Sequence, residues 1–146
     1  MSGFKLQGSA ELDRKLQELG AAVAKKATRQ AAREALQIAK SAAQASAPIG
    51  SAPHRTYKGR LVAPGFASRH IKVATKVPRP GLAIASLGVE SEAFYALQFI
   101  ELGTAKIPAR PWLRPAFERS IPAMIKKFGE SLAAKIEKVA RGGKLR

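Results

Sequence analysis

The side chains that most often carry catalysis or bind metal ions are scarce in this chain of 146 residues. There is no cysteine, so disulfides and thiolate metal sites are excluded. The two histidines, His54 and His70, show no HExxH spacing and have no run of acidic residues beside them. The sequence therefore predicts no bound metal ion.

Carboxylates and hydroxyls are the remaining groups that could do chemistry. Glu90 and Glu92 are near neighbours, but a glycosidase pair also needs a cleft and a defined separation of its carboxyl groups. Ser86, Ser91 and Thr104 lack the GxSxG context of a hydrolase nucleophile, and no glycine-rich phosphate loop is present. We therefore predict that the protein is not an enzyme and uses no cofactor.

Positive charge is the strongest chemical signal in the composition. Lys and Arg number 26 against 10 Asp and Glu, which gives a formal net charge of +16, and no acidic residue lies between Glu34 and Glu90. Such a field attracts polyanions and acidic protein surfaces, although it could also serve only to keep the protein soluble. The candidate contacts to DNA or to an acidic surface are Arg55, Lys58, Arg60, Arg69 and Lys72.

Nucleic-acid binding is the alternative function that this charge raises. Tyr57 and Phe66 lie within the basic stretch and could stack on bases. No helix-turn-helix, zinc finger or RNA-binding aromatic motif is visible. The alternative is therefore a basic nucleic-acid-binding protein without sequence specificity.

A long helix is the first element that the pattern predicts. Apolar residues recur every three or four positions from Leu12 to Ala42, which places them on one helical stripe over residues 11–45. Gly20 costs about 1 kcal/mol relative to alanine and predicts a division into a short and a long helix. The stripe is rich in alanine and allows close approach of another helix, so we expect a neighbouring subunit to cover it.

Strands follow in the middle of the chain. Residues 70–77 alternate strictly between apolar and polar, residues 82–89 form a second candidate, and residues 78–81 are the turn between them. Residues 4–7 also alternate, and Ser9 is a candidate N-cap after them.

The chain length predicts one domain over residues 1–146. Residues 48–69 are rich in Pro, Gly, Ser, Arg and Lys, which predicts either a long flexible basic loop or an irregular hairpin. Residues 141–146 are expected to fray. No apolar run reaches the roughly 18 residues of a membrane span, so we expect a soluble protein made in the cytosol, with no membrane partner.

The C-terminal third contains two helices and a stiff connector. Residues 94–102 predict a short helix, and Gly103 suits a left-handed residue at its end. Pro108 and Pro111 hold the connector extended, and Pro115 suits the first turn of the last helix. That helix should reach residue 140, with a kink or restart near Ser120 because proline in a helix interior costs about 3 kcal/mol.

Two residues of the connector region have alternative interpretations. Trp112, the only tryptophan, is either a core anchor for the connector or an anchor at a subunit interface. Glu101 could pair with Arg110 or Arg114, within the chain or across a subunit boundary. The elements together predict an α+β fold: a long N-terminal helix on a small antiparallel sheet, then a short helix, a Pro-rich connector and a C-terminal helix.

This last block resembles the small neck and tail-completion proteins of long-tailed bacteriophages, distantly including the lambda minor tail protein Z. The resemblance rests on Tyr95-Ala96, Glu101, Gly103-Thr104, Pro108, Pro111-Trp112-Leu113-Arg114-Pro115-Ala116 and Phe117. A weaker match covers Ala47-Pro48 and Gly59-Arg60-Leu61, where the chain departs by a basic insertion over residues 52–58 and by Val62 in place of an expected Arg.

The resemblance implies a structural virion protein that completes the tail or neck at the head–tail junction and is assembled in the host cytoplasm. Its implied partners are copies of itself in a ring with the six-fold symmetry of such tails, and tail terminator, tail tube or head-completion proteins. Genomic DNA would pass through the ring. The implied interface residues are Tyr95, Phe99, Glu101, Gly103, Thr104, Pro108, Arg110, Pro111, Trp112, Leu113, Arg114 and Pro115.

Overall fold

The computed structural model describes residues 10–145, apart from the side chain of Asp13. The helices are α1 (Ala10–Glu18), α2 (Ala21–Ser46), α3 (Phe66–Arg69), α4 (Ser91–Leu102) and α5 (Leu113–Ala140). The strands are β1 (His54–Arg55), β2 (Leu61–Val62), β3 (Ile71–Arg79) and β4 (Leu82–Val89). The predicted α+β fold is therefore confirmed, whereas the predicted strand at residues 4–7 and the cap at Ser9 lie outside the described residues.

The division of the N-terminal helix at Gly20 is confirmed. Gly20 has a φ of 79°, a left-handed value that side chains other than glycine adopt at a cost. The helix α1 ends at Glu18, and the next helix begins with a hydrogen bond from the Ala24 N–H to the Gly20 carbonyl, at 3.0 Å. The left-handed residue thus separates two helices that share one apolar pattern.

The alanine face of α2 is covered by the chain itself, which corrects the expectation that a neighbouring subunit covers it. Alanines every three to four residues are fully buried, and the predicted stripe is only partly right because Val23 is exposed. The fully buried alanines of α2 are Ala24, Ala27, Ala31, Ala39 and Ala43. Since alanine has almost no side-chain volume, a partner element can pack close to the helix backbone there.

The residues group into two compact units, while the single domain over residues 1–146 stays a prediction. The first contains the residues up to Leu36, Ala74–Ser86 and the chain from Pro122 onward; the second contains Gln37–Val73 and Leu87–Ile121. The core of the first comprises Leu16, Ala24, Ala27, Ala31, Leu132 and Ile136. The core of the second comprises Ala43, Ala47, Val62, Phe66, Ala67, Ile71, Ala93, Leu97, Trp112 and Ala116.

Within the first unit, Thr28 of α2 holds the turn of the β3–β4 hairpin. Its side chain is fully buried, and its hydroxyl donates to the Ala24 carbonyl at 2.8 Å. The same oxygen accepts the backbone N–H of Gly81 at 3.1 Å. One hydroxyl therefore ties the long helix to the hairpin turn.

Two short antiparallel hairpins supply the strands. In the first, His54 pairs with Val62 and Arg55 with Leu61. Residues 48–69, which were expected to form either a loop or an irregular hairpin, therefore contain a hairpin. In the second, only Pro80 and Gly81 separate β3 from β4, and so short a connection requires antiparallel pairing. Strand β4 has no charged residue, and its Leu82 and Ile84 are exposed.

The last helix does not restart near Ser120. Helix α5 continues from Leu113 to Ala140 with Pro122 inside it, so of the two predicted alternatives the restart is wrong and the kink stays a prediction. Proline removes one helical hydrogen bond, but apolar residues before and after it are buried and hold the helix together. Fraying of residues 141–146 stays a prediction; Leu145 packs against the first core, and its carbonyl accepts the Lys26 ammonium at 2.7 Å.

Candidate interface around the connector

The C-terminal end of α4 is built so that only glycine fits at position 103. Gly103 has a φ of 74° and a ψ of 175°, and its N–H donates to the Phe99 carbonyl at 2.9 Å. A Cβ there would lie 2.8 Å from the Ala109 nitrogen and 3.0 Å from the Ile107 oxygen, both backbone atoms. The predicted helix end is therefore confirmed, with an extended ψ in place of a left-handed one.

Thr104 folds the connector back on itself directly after this glycine. Its hydroxyl accepts the N–H groups of Lys106 at 3.2 Å and Ile107 at 3.0 Å, and its own N–H donates to the Ile107 carbonyl at 2.8 Å. The Arg110 N–H then donates to the Ile100 carbonyl of α4 at 2.7 Å. The connector is therefore an ordered turn, with Pro108, Arg110 and Pro111 exposed on its surface.

Glu101 caps the first turn of α5 from the last turn of α4. Its carboxylate accepts the backbone N–H groups of Trp112 at 2.6 Å, Leu113 at 3.0 Å and Arg114 at 3.0 Å. These are N–H groups that a helix start leaves without a helical partner. Within the chain the predicted ion pair with Arg110 or Arg114 does not form, because neither guanidinium lies within 4 Å of this carboxylate, while a pair across a subunit boundary stays a prediction.

The charge on Glu101 is favoured by this capping. Burial raises the pKa of the Glu101 carboxyl, but the three backbone hydrogen bonds and the nearby Arg114 charge lower it further than burial raises it. Its pKa consequently lies below the ordinary value of 4.5. A carboxylate at a helix N-terminus is also favoured by the helix dipole.

Trp112 lies in the core of the second unit, which favours the core-anchor interpretation. Its side chain is only 6% exposed and belongs to the cluster that contains Phe66, Ile71 and Leu97. Among the described residues, no acceptor lies within hydrogen-bond distance of its indole Nε1. Leu113 packs partly against the same core.

Three aromatic side chains form an exposed cluster that we term the aromatic patch: Tyr57, Tyr95 and Phe99. The ring centroids of Tyr57 and Tyr95 are 4.9 Å apart, and those of Tyr95 and Phe99 are 5.7 Å apart. Their exposed fractions are 53%, 50% and 39%. The sequence selected Tyr95 and Phe99 as interface residues, but it assigned Tyr57 only to base stacking.

A shallow apolar cleft of about 310 Å³ lies at the junction of α4 and α5 in the second unit. Its walls are mainly apolar, and its polar groups are Glu101 and Arg114. The apolar side chains that line it are Leu87, Phe94, Leu102, Leu113 and Phe117. Leu102 is strongly exposed as well, so this region presents apolar surface beyond the aromatic patch.

The five predicted basic contacts are all exposed, but each also contacts its own chain. Arg55 donates to the Gly59 carbonyl at 2.9 Å, and Arg69 donates to the Pro64 carbonyl at 3.1 Å. Lys72 forms a 3.4 Å ion pair with Glu90.

The other two basic contacts lie against aromatic rings. Lys58 lies 5.6 Å from the centre of the Tyr57 ring, and Arg60 lies 5.4 Å from that of Phe66. Phe66 itself is buried, which corrects the expectation that it could stack on bases.

A second polar cluster, which the sequence did not reveal, lies in the first unit. The Glu34 carboxylate accepts hydrogen bonds from the Ser131 hydroxyl and from the Lys135 ammonium. Burial raises the pKa of Glu34, but Lys135 and Ser131, with the more distant charge of Lys127, bring it below its ordinary value. These residues are 97 and 101 positions apart in sequence, so no local pattern could have joined them.

No arrangement for metal chemistry is seen in residues 10–145, since no three His, Cys, Asp or Glu side chains come together there. The Nδ1 atom of His70 lies 2.6 Å from the Phe66 carbonyl oxygen, and its ring packs on the Phe66 ring. No helix in the described part of the chain has the length and apolar character needed to cross a membrane.

Part of the region just described lies within a match to a known protein family. Comparison with curated proteins and with solved structures gives no match. Residues 10–103 match the family model described as "Bacteriophage HK97-gp10, putative tail-component". The matched range begins at the start of α1 and ends at Gly103, so it includes the aromatic patch, Glu101 and the glycine that ends α4. The chain therefore belongs to the HK97-gp10-like family of bacteriophage tail components.

Proposed function

We propose that this protein completes the tail or neck at the head–tail junction of a long-tailed phage, so that head and tail can join. Membership of a phage tail-component family is the observation that supports this most directly. The exposed patch formed by Tyr57, Tyr95 and Phe99 supports it further, because a group of large apolar side chains in water marks an interaction surface.

Its mechanism is assembly, with no bond chemistry. The capped start of α5 and the folded connector fix the position of the residues around Gly103, so they act as rigid parts. Rigid interfaces lose little conformational entropy on association. Copies of the protein form a ring with the six-fold symmetry of the tail, and neighbouring rings belong to tail terminator, tail tube or head-completion proteins.

The positive charge fits the same position in the virion. A ring at the junction surrounds the path of the genomic DNA, and exposed Lys and Arg side chains there lower the electrostatic cost of bringing the phosphate backbone close. The net charge of +16 supports this arrangement. No base recognition is required, since the contacts are made only to passing phosphates.

Deletion and complementation of the gene test the proposal. Phage without the gene should yield filled heads and separate tails that do not join, counted by negative-stain electron microscopy. Wild-type protein supplied from a plasmid should restore joined particles, and antibody labelling should place it at the head-proximal end of the tail. Joined infectious virions that lack the protein would refute the proposed role.

Surface variants then separate assembly from folding. Tyr95→Ala and Phe99→Ala should fold as the wild type does by circular dichroism, yet restore few joined particles. Ile84→Ala is a matched control, because Ile84 is exposed to a similar extent but lies on β4, away from the connector in sequence. Equal complementation by all three variants would exclude the aromatic patch from assembly.

A further inference from the structure

We propose that the aromatic patch and its neighbouring cations bind an acidic protein segment that carries an apolar or aromatic anchor. This inference rests on the proposed function, because it names the chemistry of the partner that an assembly surface would receive. The patch is the surface of Tyr57, Tyr95 and Phe99. The cations are Lys58, which lies over the Tyr57 ring, and Arg55, which bonds to Gly59 in the same loop.

The patch joins two segments that are distant in sequence, and a hydrogen bond links them. The Thr56 hydroxyl donates to the Glu92 carboxylate at 2.6 Å, which holds the β1–β2 loop against the first turn of α4. Tyr57 follows Thr56 directly, and its ring therefore meets Tyr95 one turn further along α4. The contact is tertiary and ordered, so the three rings form a preformed surface.

The arrangement of the rings favours a side-chain anchor over stacked bases. The Tyr57 and Tyr95 rings are inclined at 43°, and the Tyr95 and Phe99 rings at 85°. The first pair is tilted and the second is edge-to-face, so the rings pack on each other and leave an uneven apolar surface. Such a surface fits an inserted Phe, Tyr or Leu better than a parallel column of bases, which needs successive free ring faces.

Charge around the patch selects an acidic partner. Lys58 lies over the Tyr57 ring, and Arg55 bonds to Gly59 of the same loop; neither has a carboxylate within 4 Å in residues 10–145. Glu92, the acidic side chain that holds the β1–β2 loop, already accepts the Thr56 hydroxyl. The centre of the surface is therefore apolar and its margin is positive.

The same surface on a second copy of this chain does not complement this one. Each copy has a net charge of +16, and three of the four carboxylates in the second unit are engaged, Glu90 with Lys72, Glu92 with Thr56 and Glu101 with α5. Like charges brought together at an interface cost binding free energy. An acidic segment of another protein supplies the missing sign of charge and an anchor at once.

Synthetic polymers of defined charge test this chemistry before the partner itself is identified. The probes are a random glutamate–tyrosine copolymer, polyglutamate of equal length and single-stranded oligo(dT), each titrated against the full chain at physiological salt. The copolymer should bind about tenfold more tightly than polyglutamate, since an aromatic anchor at a hot spot contributes more than about 1.4 kcal/mol. Equal affinity for the two polypeptides would overturn the inference.

Variants assign the preference to the patch. Tyr95→Ala should remove the preference for the copolymer and leave the affinity for polyglutamate unchanged, whereas Tyr95→Phe should keep it. Lys58→Glu should weaken the binding of both polypeptides by about threefold or more through charge alone. Ile84→Ala is the control and should change neither. A Tyr95→Ala variant that retains the preference, with an unchanged circular dichroism spectrum, would refute the proposal.

The other occupants are distinguished by the same variants. Oligo(dT) should bind through charge, and Tyr95→Ala should not weaken it; an equal loss for oligo(dT) would identify a nucleic-acid surface instead. Dissociation of an oligomer by Tyr95→Ala in sedimentation velocity would identify a self-interface instead. Failure of the head–tail role would leave the copolymer preference intact, whereas loss of that preference would leave the head–tail role standing.

Discussion

The carboxylate of Glu101 accepts the backbone N–H of Trp112 at 2.6 Å across 11 positions of sequence. The contact joins the last turn of α4 to the first turn of α5 and closes the connector between them into a loop of fixed geometry. A helix start that is capped by a distant side chain forms only when the connector is folded. Formation of the connector and of the first turn of α5 are thereby coupled.

Replacement of this carboxylate should lower stability. Glu101→Gln removes the charge and places an amide group, which donates, against one of the N–H groups that the carboxylate now accepts. The expected loss in the free energy of unfolding is about 2 kcal/mol, measured by urea denaturation. Glu118→Gln on the exposed side of α5 is the control and should change stability by less than about 0.5 kcal/mol.

Lowering the pH should remove the contribution of the Glu101 charge to the free energy of unfolding. Because its pKa in the folded state is below the ordinary 4.5, the stabilisation is complete above that value and is lost as pH falls through the folded pKa. The difference in unfolding free energy between wild type and Glu101→Gln should therefore shrink as the pH is lowered below about 4.5. A difference that is constant from neutral to acid pH would contradict a role for the charge.

Substitution of Gly103 should lower stability more than substitution of another glycine that also has a positive φ. Gly103→Ala suffers a positive φ and a Cβ only 2.8 Å from the Ala109 nitrogen. Gly59→Ala suffers a φ of 81° alone, since apart from its chain neighbours no described residue comes within 4 Å of the added Cβ. We expect losses of about 3 kcal/mol or more at position 103 and about 1 kcal/mol at position 59 in thermal unfolding. Equal losses would show that the close backbone approach does not matter.

Replacement of Trp112 should lower the free energy of unfolding, because the side chain lies in the core. Trp112→Ala empties a buried site and should cost about 3–5 kcal/mol. Trp112→Phe should cost clearly less, because it keeps a ring in the core and removes an indole N–H that finds no acceptor in residues 10–145. Unfolding is measured by the circular dichroism of the backbone, a signal that does not depend on the tryptophan. Near-wild-type stability of Trp112→Ala would instead favour the interpretation of Trp112 as an anchor at a subunit interface.

The hydroxyl of Thr28 should matter more than its methyl group. Thr28→Val keeps the shape but leaves the Gly81 N–H without its acceptor, which should cost about 1–3 kcal/mol. Thr28→Ser keeps the hydrogen bond and should cost about 1 kcal/mol for the lost methyl group. Hydrogen exchange of the Gly81 amide should accelerate in the valine variant and not in the serine variant. The reverse order of the two variants would contradict the hydrogen-bond argument.

Local signals in the sequence predicted much of the fold. Helix periodicity predicted α1, α2, α4 and α5 but not the short α3, and Gly20 predicted the break between α1 and α2. Strict alternation predicted β3, and a second strand candidate predicted β4, each to within two residues at each end. Gly103 was identified because glycine at the end of an apolar helical run has one common use. These features depend on neighbours in sequence, and pattern reasoning is suited to them.

The sequence-based predictions failed where groups that are distant in sequence determine the structure. The partners of Glu101 are backbone N–H groups of α5, and side-chain reasoning selected the nearby arginines because backbone donors cannot be read as a pattern. Tyr57 joined the aromatic patch through Thr56 and Glu92, which are 36 positions apart. The continuity of α5 through Pro122 likewise depended on burial before and after the proline, which local propensity does not include.

The uncharged, exposed strand β4 has a consequence for handling the free protein in solution. Neither β3 nor β4 has a further strand beside it in the described residues, and β4 presents Leu82 and Ile84 with no lysine to discourage pairing. Mutual repulsion of molecules with a charge of +16 is then what keeps these edges apart. Concentrated salt shortens the range of that repulsion to about 3 Å at 1 M, so turbidity should rise with ionic strength in purified samples.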